Sequence, residues 1–423
     1  MSSLTLGVIA DDFTGATDVA SALVRGGMRV VQTIGLPHSA TGAADAVVVA
    51  LKSRTAPMAQ AVAQSLAAAR WLREQGARQI YFKVCSTFDS TAQGNIGPVA
   101  EALQALTAAS VVPVTPAFPE NGRTVYKGHL FVGDLLLSDS AMRHHPLTPM
   151  TDANLVRVLQ AQLARQRVGR VDHATVAQGS AAIGERLRAL AEAGQGFAIV
   201  DAVDDAALMQ LARAAAELPL VVAGSGLALS LPACWGYAPR AEAAALPPAD
   251  GAAAIVSGSC SAASNAQVAD FIAAGGAAYA VDALRLAAGQ DVVAEACAWA
   301  AAQGVHAPVL VYATAPPEAV QQVQRQLGAE HAGNLIEQAL AAIAEALVQR
   351  GVRRLVVAGG ETSGACVQAL GVTQLRVGAT IDPGVPWCHA EASRHGALHL
   401  ALKSGNFGGT DFFRRAFDVL ERA

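Results

Sequence analysis

The stretch LTLGVIADDFTGATD, residues 4–18, sets the reading of the whole chain. A run of strand formers ends in Asp11 and Asp12, and Gly15 sits just beyond them. Residues 14–25 then place Ala16, Val19, Ala20, Leu23 and Val24 at helical spacing until Gly26 and Gly27 stop them. A strand running through a polar turn into a helix is the opening unit of an open parallel sheet. In such sheets ligands bind outside the carboxyl ends of the strands. One acid at that turn is an ordinary helix cap. The second raises the question of what it faces.

Strand and helix keep alternating outward from this unit. Strands are expected at 29–34, 46–51, 79–84 and 110–114, with helices from Pro57 to Gln75 and over 96–107. The pattern breaks at PAFPENGRTVYKGHLFVGD, residues 116–134, where proline, Asn-Gly and alternating apolar residues predict a loop and a hairpin. HHPLTPMTDANLVRVLQAQL, 144–163, predicts a helix capped by Asp152 or Thr151. Alternation resumes to VVAGSGLA at 221–228. Residues 237–253 are alanine- and proline-rich without periodicity and read as a domain linker. IVSGSCS, AYAVDAL, VLVYATA, LVVAGGETSG and LHLALKSGNFGG follow as strand–loop units. The expected fold is α/β with two domains, each an open, mostly parallel sheet with helices on both faces. The domains run over 1–240 and 254–423, with 241–253 between them.

Composition narrows the class. The chain is 52% hydrophobic and 15% charged, which describes a well-cored globular protein and not a disordered one. No apolar run approaches the roughly 20 residues of a membrane span, and the first apolar run lacks a basic flank and is already strand, so a cytoplasmic location is expected. A net charge of −4 leaves no basic footprint for nucleic acid. Six cysteines form no CxxC pair, so neither a zinc site nor a disulfide framework is indicated. His389, His395 and His399 cluster at an apparent helix-to-strand transition and read as solvated or core histidines, not as a metal site. Of 30 basic residues only Lys52, Lys83, Lys127 and Lys403 are lysines, and each lies in or at the end of an apolar run. A lysine ammonium there is a compact charge suited to carboxylate or phosphate.

The strand ends carry the chemistry. In the first domain they are Asp11-Asp12, Lys52-Ser53-Arg54, the run Cys85 to Ser90 (with Ser86 and Asp89), and Glu120 to Arg123. These carboxylates, cations and hydroxyls suit a small, polyhydroxylated anion. In the second domain they are Ser257-Gly258-Ser259, the run Gly359 to Gly364, and Gly405 to Gly409. Glycine turns let backbone N–H groups approach an anion, and helix N-termini add a favourable dipole. Three in one domain suggest a nucleotide. The GxxxxGK[ST] loop and the protein-kinase motifs are absent, as is GxGxxG. One βαβ-like layout, from IVSGSCSAAS to Asp282, keeps an NAD-dependent hydroxy-acid dehydrogenase as the runner-up. A two-domain solute-binding protein is a third reading, opposed by the missing export signal.

ADDFTGATD, FKVCSTFDST, PAFPENGRTVYKGHLFVGD, AGGETSGA and ALKSGNFGG together resemble the four-carbon acid sugar kinase family over essentially the whole length. Within it, GNIGPVAEAL and HPLTPMTDANLVRVL resemble the members acting on 3-oxo-tetronate more than those acting on threonate or erythronate. The resemblance implies transfer of phosphate from ATP, with Mg2+, to the C4 hydroxyl of the acid. It places the nucleotide at Ser259, at Gly360, Glu361, Thr362 and Ser363, and at Gly405. The sugar acid is expected at Asp11, Lys52, Arg54, Lys83, Ser86, Asp89 and Arg123. Phosphoryl transfer to an alcohol needs a carboxylate to take or orient its proton. Asp12 is favoured for that role, with Asp411 in GGTDFF as the rival, and Asp18 is read as a first-turn dipole partner. Flanking lysines are expected to keep Asp12 ionised. No residue is assigned to a metal. The expected partners are a sugar acid and ATP, with neither nucleic acid nor membrane, and homo-oligomerisation is left open.

Overall fold

Short buried runs of β-branched residues, separated by alanine-rich stretches with one apolar face, dictate a layered α/β architecture. The computed structural model describes residues 4–37, 42–145, 148–304, 307–391 and 393–422. Pro146 and Leu147 of the HPLTPMTDANL segment lie outside the described residues. The chain divides into two compact units, Met1–Ala243 and Ala244–Ala423.

In the first unit the strands are β1 (Leu6–Ala10), β2 (Val30–Ile34), β3 (Ala46–Ala50), β4 (Gln79–Lys83), β5 (Val112–Thr115), β6 (Arg123–Tyr126), β7 (His129–Val132), β8 (Leu135–Leu136), β9 (Val168–Val171), β10 (Phe197–Val200) and β11 (Leu220–Ala223). The main sheet has the order β2-β3-β1-β4-β11-β5-β10-β9 and is parallel throughout. β1 and β3 are buried along their whole length, as expected of strands covered on both faces. β6, β7 and β8 form a separate antiparallel sheet over the segment expected to be a hairpin. Lys127 turns that hairpin with φ 50°, and its amide donates to the buried carboxylate of Asp201 at 2.6 Å.

The second unit contains β12 (Ala252–Ser257), β13 (Ala277–Ala280), β14 (Val309–Tyr312), β15 (Val352–Ala358), β16 (Gln374–Asp382), β17 (Val385–Ala390) and β18 (Leu398–Lys403). Its order is β13-β14-β12-β15-β18-β17-β16, parallel from β13 to β18 and antiparallel over β16, β17 and β18. Trp387 is fully buried in its core beside Phe417 and donates its indole N–H to the Ala416 carbonyl at 2.7 Å. Mixed α/β layering with a mostly parallel sheet in each unit is the fold class expected. Residues 241–253 are not wholly irregular: a short helix spans Ala241–Ala244 and β12 begins at Ala252.

Several local expectations need correction. Asn154, not Asp152 or Thr151, caps the helix Leu155–Gln160, accepting from the Arg157 amide at 3.1 Å. Asp152 is drawn off by the Arg157 guanidinium, 2.7 and 2.8 Å away. His389 and His399 do not mark a helix-to-strand transition; they face each other across antiparallel β17 and β18, with ring centroids 5.1 Å apart. The dinucleotide-like layout also fails: β14 lies between β12 and β13, and Asp282 caps the helix Ala283–Ala287.

Candidate active site

The first unit places β3, β1 and β4 side by side in level register, with Ala50, Ala10 and Lys83 opposite one another. The segments leaving these strands therefore meet. The Asp11 carbonyl accepts the amides of Ser53 and Arg54 at 2.9 and 3.1 Å, which brings the Arg54 side chain back over the double acid. Its guanidinium grips Asp11 with two bonds of 2.9 Å and Asp12 with one of 2.7 Å, and its Nη1 stands 3.7 Å from Asp89. A fork donating to both oxygens of one carboxylate is the strong form of this pair. The amide of Asn95 secures the same loop by donating to the carbonyls of Ser53, Arg54 and Ala56.

Asp89 arrives by a strained route. Phe88 and Asp89 have φ of 65° and 42°, a left-handed pair without glycine, with Phe88 fully buried. Such conformations cost roughly 1–3 kcal/mol each and persist only where surrounding contacts impose them. Here Thr87 Oγ1 donates to Asp89 Oδ1 at 2.8 Å. Burial pushes the neighbouring Cys85 thiol up to about 11, so it is no thiolate nucleophile at neutral pH.

Asp12 has two duties. Its Oδ1 caps the helix Phe13–Arg25 through the Gly15 amide at 3.0 Å and also receives Arg54. Its Oδ2 accepts no hydrogen bond among the described residues. Of the two lysines expected to flank Asp12, Lys83 acts on it, and burial works against the cations. Burial raises its pKa, with Asp11 adding to the rise, while Arg54 and Lys83 oppose it. Lys83 is buried, and its ammonium donates to the Val84 carbonyl at 2.8 Å. A Cβ on Gly15 would sit 2.8 Å from that ammonium, so glycine lets the first helical turn approach the charge. Asp18 lies beyond the first turn, which carries no acid, and burial raises its pKa against the attraction of Lys83.

The remaining residues expected in this group are less closely gathered. Lys52 is exposed, while its neighbour Ser53 is buried. Ser86 is half-buried and makes no hydrogen bond among the described residues. Arg123 opens β6, just past the turn 119–122 that follows β5, and β11 separates β5 from β4. Its Nη1 donates to the Asn121 carbonyl, while its Nε is buried without a partner. Glu120 of the same turn pairs with Arg25 at 3.1 Å.

In the second unit the three glycine turns follow β12, β15 and β18, which are adjacent in the sheet although about a hundred and about forty-five residues apart in the chain. Ser259 N and Gly258 N both donate to the Ala358 carbonyl, and Gly359 N donates to the Lys403 carbonyl at 2.8 Å. Gly359, at φ 124°, precedes the helix Gly360–Ala369. A Cβ at Gly359 would lie 3.2 Å from the Ser259 amide; one at Gly360 would meet nothing within 4 Å. Gly360 and Glu361 are exposed at this helix start, whereas Thr362 and Ser363 are buried. A Cβ at Gly405 would stand 2.6 Å from Ser259 Oγ. Ser259, Gly360 to Ser363 and Gly405 thus converge on one end of the sheet, where backbone N–H groups and a helix dipole suit phosphate.

Four residues that the sequence reading did not place in this site hold its last turn in shape. Ser261 and Ser264 hydroxyls donate to the Gly405 carbonyl at 2.6 and 3.1 Å. Gln267 Nε2 donates to the carbonyls of Phe407, Gly408 and Gly409. Lys403 reaches into the same turn. The scarcity of lysine is the one sequence signal that singled it out. Asp411 stands just before the helix Phe412–Arg422, half-exposed, with Arg415 3.6 Å away. Among the described residues no group of three or more His, Cys, Asp or Glu is placed to hold a metal ion, and no helix is long and apolar enough to cross a membrane.

Comparison with known proteins follows the same division. Residues 6–231 match the family model of a sugar-binding N-terminal domain, and 254–413 that of a nucleotide-binding C-terminal domain. The chain is 57% identical to a 3-oxo-tetronate kinase of Cupriavidus necator, covering 98% of this chain and 97% of the relative. It is 56% identical to one of Pseudomonas fluorescens, with 98% and 97% coverage. A crystal structure of a Haemophilus influenzae protein superposes with a TM-score of 0.87 at 43% identity, covering 97% of this chain and 99% of that one. With sugar-binding and nucleotide-binding models matched in order and relatives of this identity over nearly the full length, the chain belongs to the four-carbon acid sugar kinase family.

Proposed function

We propose that the protein transfers the γ-phosphate of ATP to the C4 hydroxyl of 3-oxo-tetronate, giving 3-oxo-tetronate 4-phosphate and ADP. The observation that carries the kinase chemistry is the convergence of three glycine turns at the ends of β12, β15 and β18. The substrate follows the names of the relatives that match from end to end. The sugar acid is assigned to residues 1–240 and the nucleotide, entering as its magnesium complex, to 254–423.

Asp12 is the proton acceptor in this reading. The C4 oxygen attacks the γ-phosphorus, the bond to the β-phosphate oxygen breaks, and the hydroxyl proton passes to Asp12 Oδ2. A carboxylate whose pKa burial has raised is a better base than an exposed one, and Arg54 keeps it oriented. Asp11, Arg54, Lys83, Ser86 and Asp89 surround the acid's hydroxyl and carboxylate groups, with Lys52 and Arg123 at the margin. Since Arg54 is already clamped by carboxylates, Lys83 is the better-placed cation for the substrate carboxylate. ATP-dependent ADP release tests the assignment: turnover of 3-oxo-tetronate well above that of threonate and erythronate is expected. The reverse ranking would move the specificity to a sister substrate, and NAD reduction without ADP release would overturn the kinase.

A further inference from the structure

Lys403, the last residue of β18, is wholly buried. Its ammonium donates to Ser264 Oγ at 3.2 Å and to the carbonyls of Ser404, Gly405 and Phe407 at 3.0, 2.8 and 3.1 Å. All its acceptors are neutral. Among the described residues no carboxylate lies within ion-pair distance of it, and Asp382 and Asp411 of the same end of the unit are engaged by Arg415. The helix Ala262–Ala273 turns hydroxyls and the Gln267 amide toward the loop, and the helix Gly360–Ala369 carries the exposed Glu361. The Cys260 thiol is turned to the carbonyls of Gly258 and Ala313.

A buried charge without a counter-ion is expensive. Three carbonyls of one short turn, those of Ser404, Gly405 and Phe407, are aimed at a single ammonium. The Phe407 amide donates back to the Ser404 carbonyl at 3.2 Å, while among the described residues no hydrogen bond engages the N–H of Gly405 or Asn406. We infer that Lys403 is a positioning residue for nucleotide binding, an internal cation that gathers the carbonyls of turn 404–407 so that its N–H side is presented to the phosphates of ATP. The inference rests on the nucleotide reading of these loops. With all its donors spent on the cage, Lys403 acts on the phosphates through the turn and through its unneutralised charge. The ammonium is thus unlike a lysine that grips phosphate directly. Desolvation lowers its pKa to about 8, so the charge is removable in an accessible range. ATP, being an anion, favours the protonated form; by linkage the affinity for ATP falls as pH rises through about 8.

The test measures ATP binding by calorimetry for the wild type, Lys403→Met and Lys403→Ala, with 3-oxo-tetronate binding alongside. Lys403→Met keeps the length and apolar stem but removes the charge and donors. The expected results are ATP affinity weakened about tenfold or more with sugar-acid affinity unchanged, and partial restoration of Lys403→Ala by propylammonium but not by sodium. Wild-type affinity declines above about pH 8, where ATP is already fully ionised, and Lys403→Met lacks that decline. Any dependence owed to Cys260 would survive the substitution. A folded Lys403→Met that binds ATP like the wild type overturns the inference. If that variant does not fold, a wild-type affinity that stays flat from pH 7 to 9.5 overturns it instead. A wild type that binds no ATP at pH 7 refutes the nucleotide reading itself, which separates the two failures.

Discussion

Arg54 holds Asp11 through both carboxylate oxygens at 2.9 Å while its Nη2 also reaches Asp12 at 2.7 Å. One cation thus organises the double acid at the mouth of β1. Asp11 is almost wholly buried, and this guanidinium is the partner of its carboxylate charge. Replacing Arg54 with Met strands that charge. Loss of a partner from a buried pair costs about 3–5 kcal/mol, so Arg54→Met should lower unfolding stability in urea by that order at neutral pH. Adding Asp11→Asn should recover a good part of it, and a purely additive double mutant would deny the coupling.

Asp12→Asn retains a good helix cap and an acceptor for Arg54, and removes the charge and with it the base. The expected loss in kcat is about a hundredfold or more, with ATP binding intact and Asp411→Asn near normal. A dead Asp411→Asn beside an active Asp12→Asn would move the role to the second unit.

The same residue has a stability signature. Its folded pKa is raised above the ordinary aspartate value of 3.8, so above that value the folded protein binds protons that the unfolded chain has released. Its contribution therefore falls as pH rises through the interval between unfolded and folded pKa. Asp12→Asn should equal or exceed the wild type in stability at neutral pH, and the difference should vanish below pH 3.8. Greater stability of the wild type at neutral pH would contradict the shift.

Gly360 and Gly359 should respond in opposite ways. Gly360 faces open space, so Gly360→Val is expected to fold normally and lose ATP affinity. Gly359→Ala forces a side chain onto φ 124° against the Ser259 amide, 3.2 Å away, and should lower the melting temperature itself. Unchanged ATP binding in a folded Gly360→Val would remove the phosphate from this turn.

His389 and His399 report on acid. Burial lowers the pKa of both below 6.5, and His399 also feels Arg354, although its bond to the Pro247 carbonyl at 2.9 Å opposes the fall. The unfolded chain then binds more protons, and their stability contribution is lost as pH falls from 6.5 toward the folded pKa values. Trp387, whose ring centroid lies 6.4 Å from that of His399, offers a fluorescence probe of this unfolding. His389→Phe should flatten the dependence between pH 6.5 and 5.

The sequence by itself determined the alternation of elements, the class of fold, the polar ends of the first strands and the glycine turns of the later ones. Each is a local property: burial period follows backbone geometry, and glycine marks turns that only glycine tolerates. Neighbourhood was decided by the tertiary structure. β12, β15 and β18 are strangers in the chain and neighbours in the sheet, and nothing in their spacing says so. Asp12 could be read as cap or as base, and only its placement beneath Arg54 shows it serving as cap with one oxygen left over. Burial raises its pKa against the cations, and that was not legible because desolvation depends on everything packed around a group, whereas sequence shows only that lysines exist. The same reason hid the cage around Lys403. A lysine at a strand end is visible from composition, but the carbonyls that close on it, and the missing carboxylate, exist only once the strands are laid side by side.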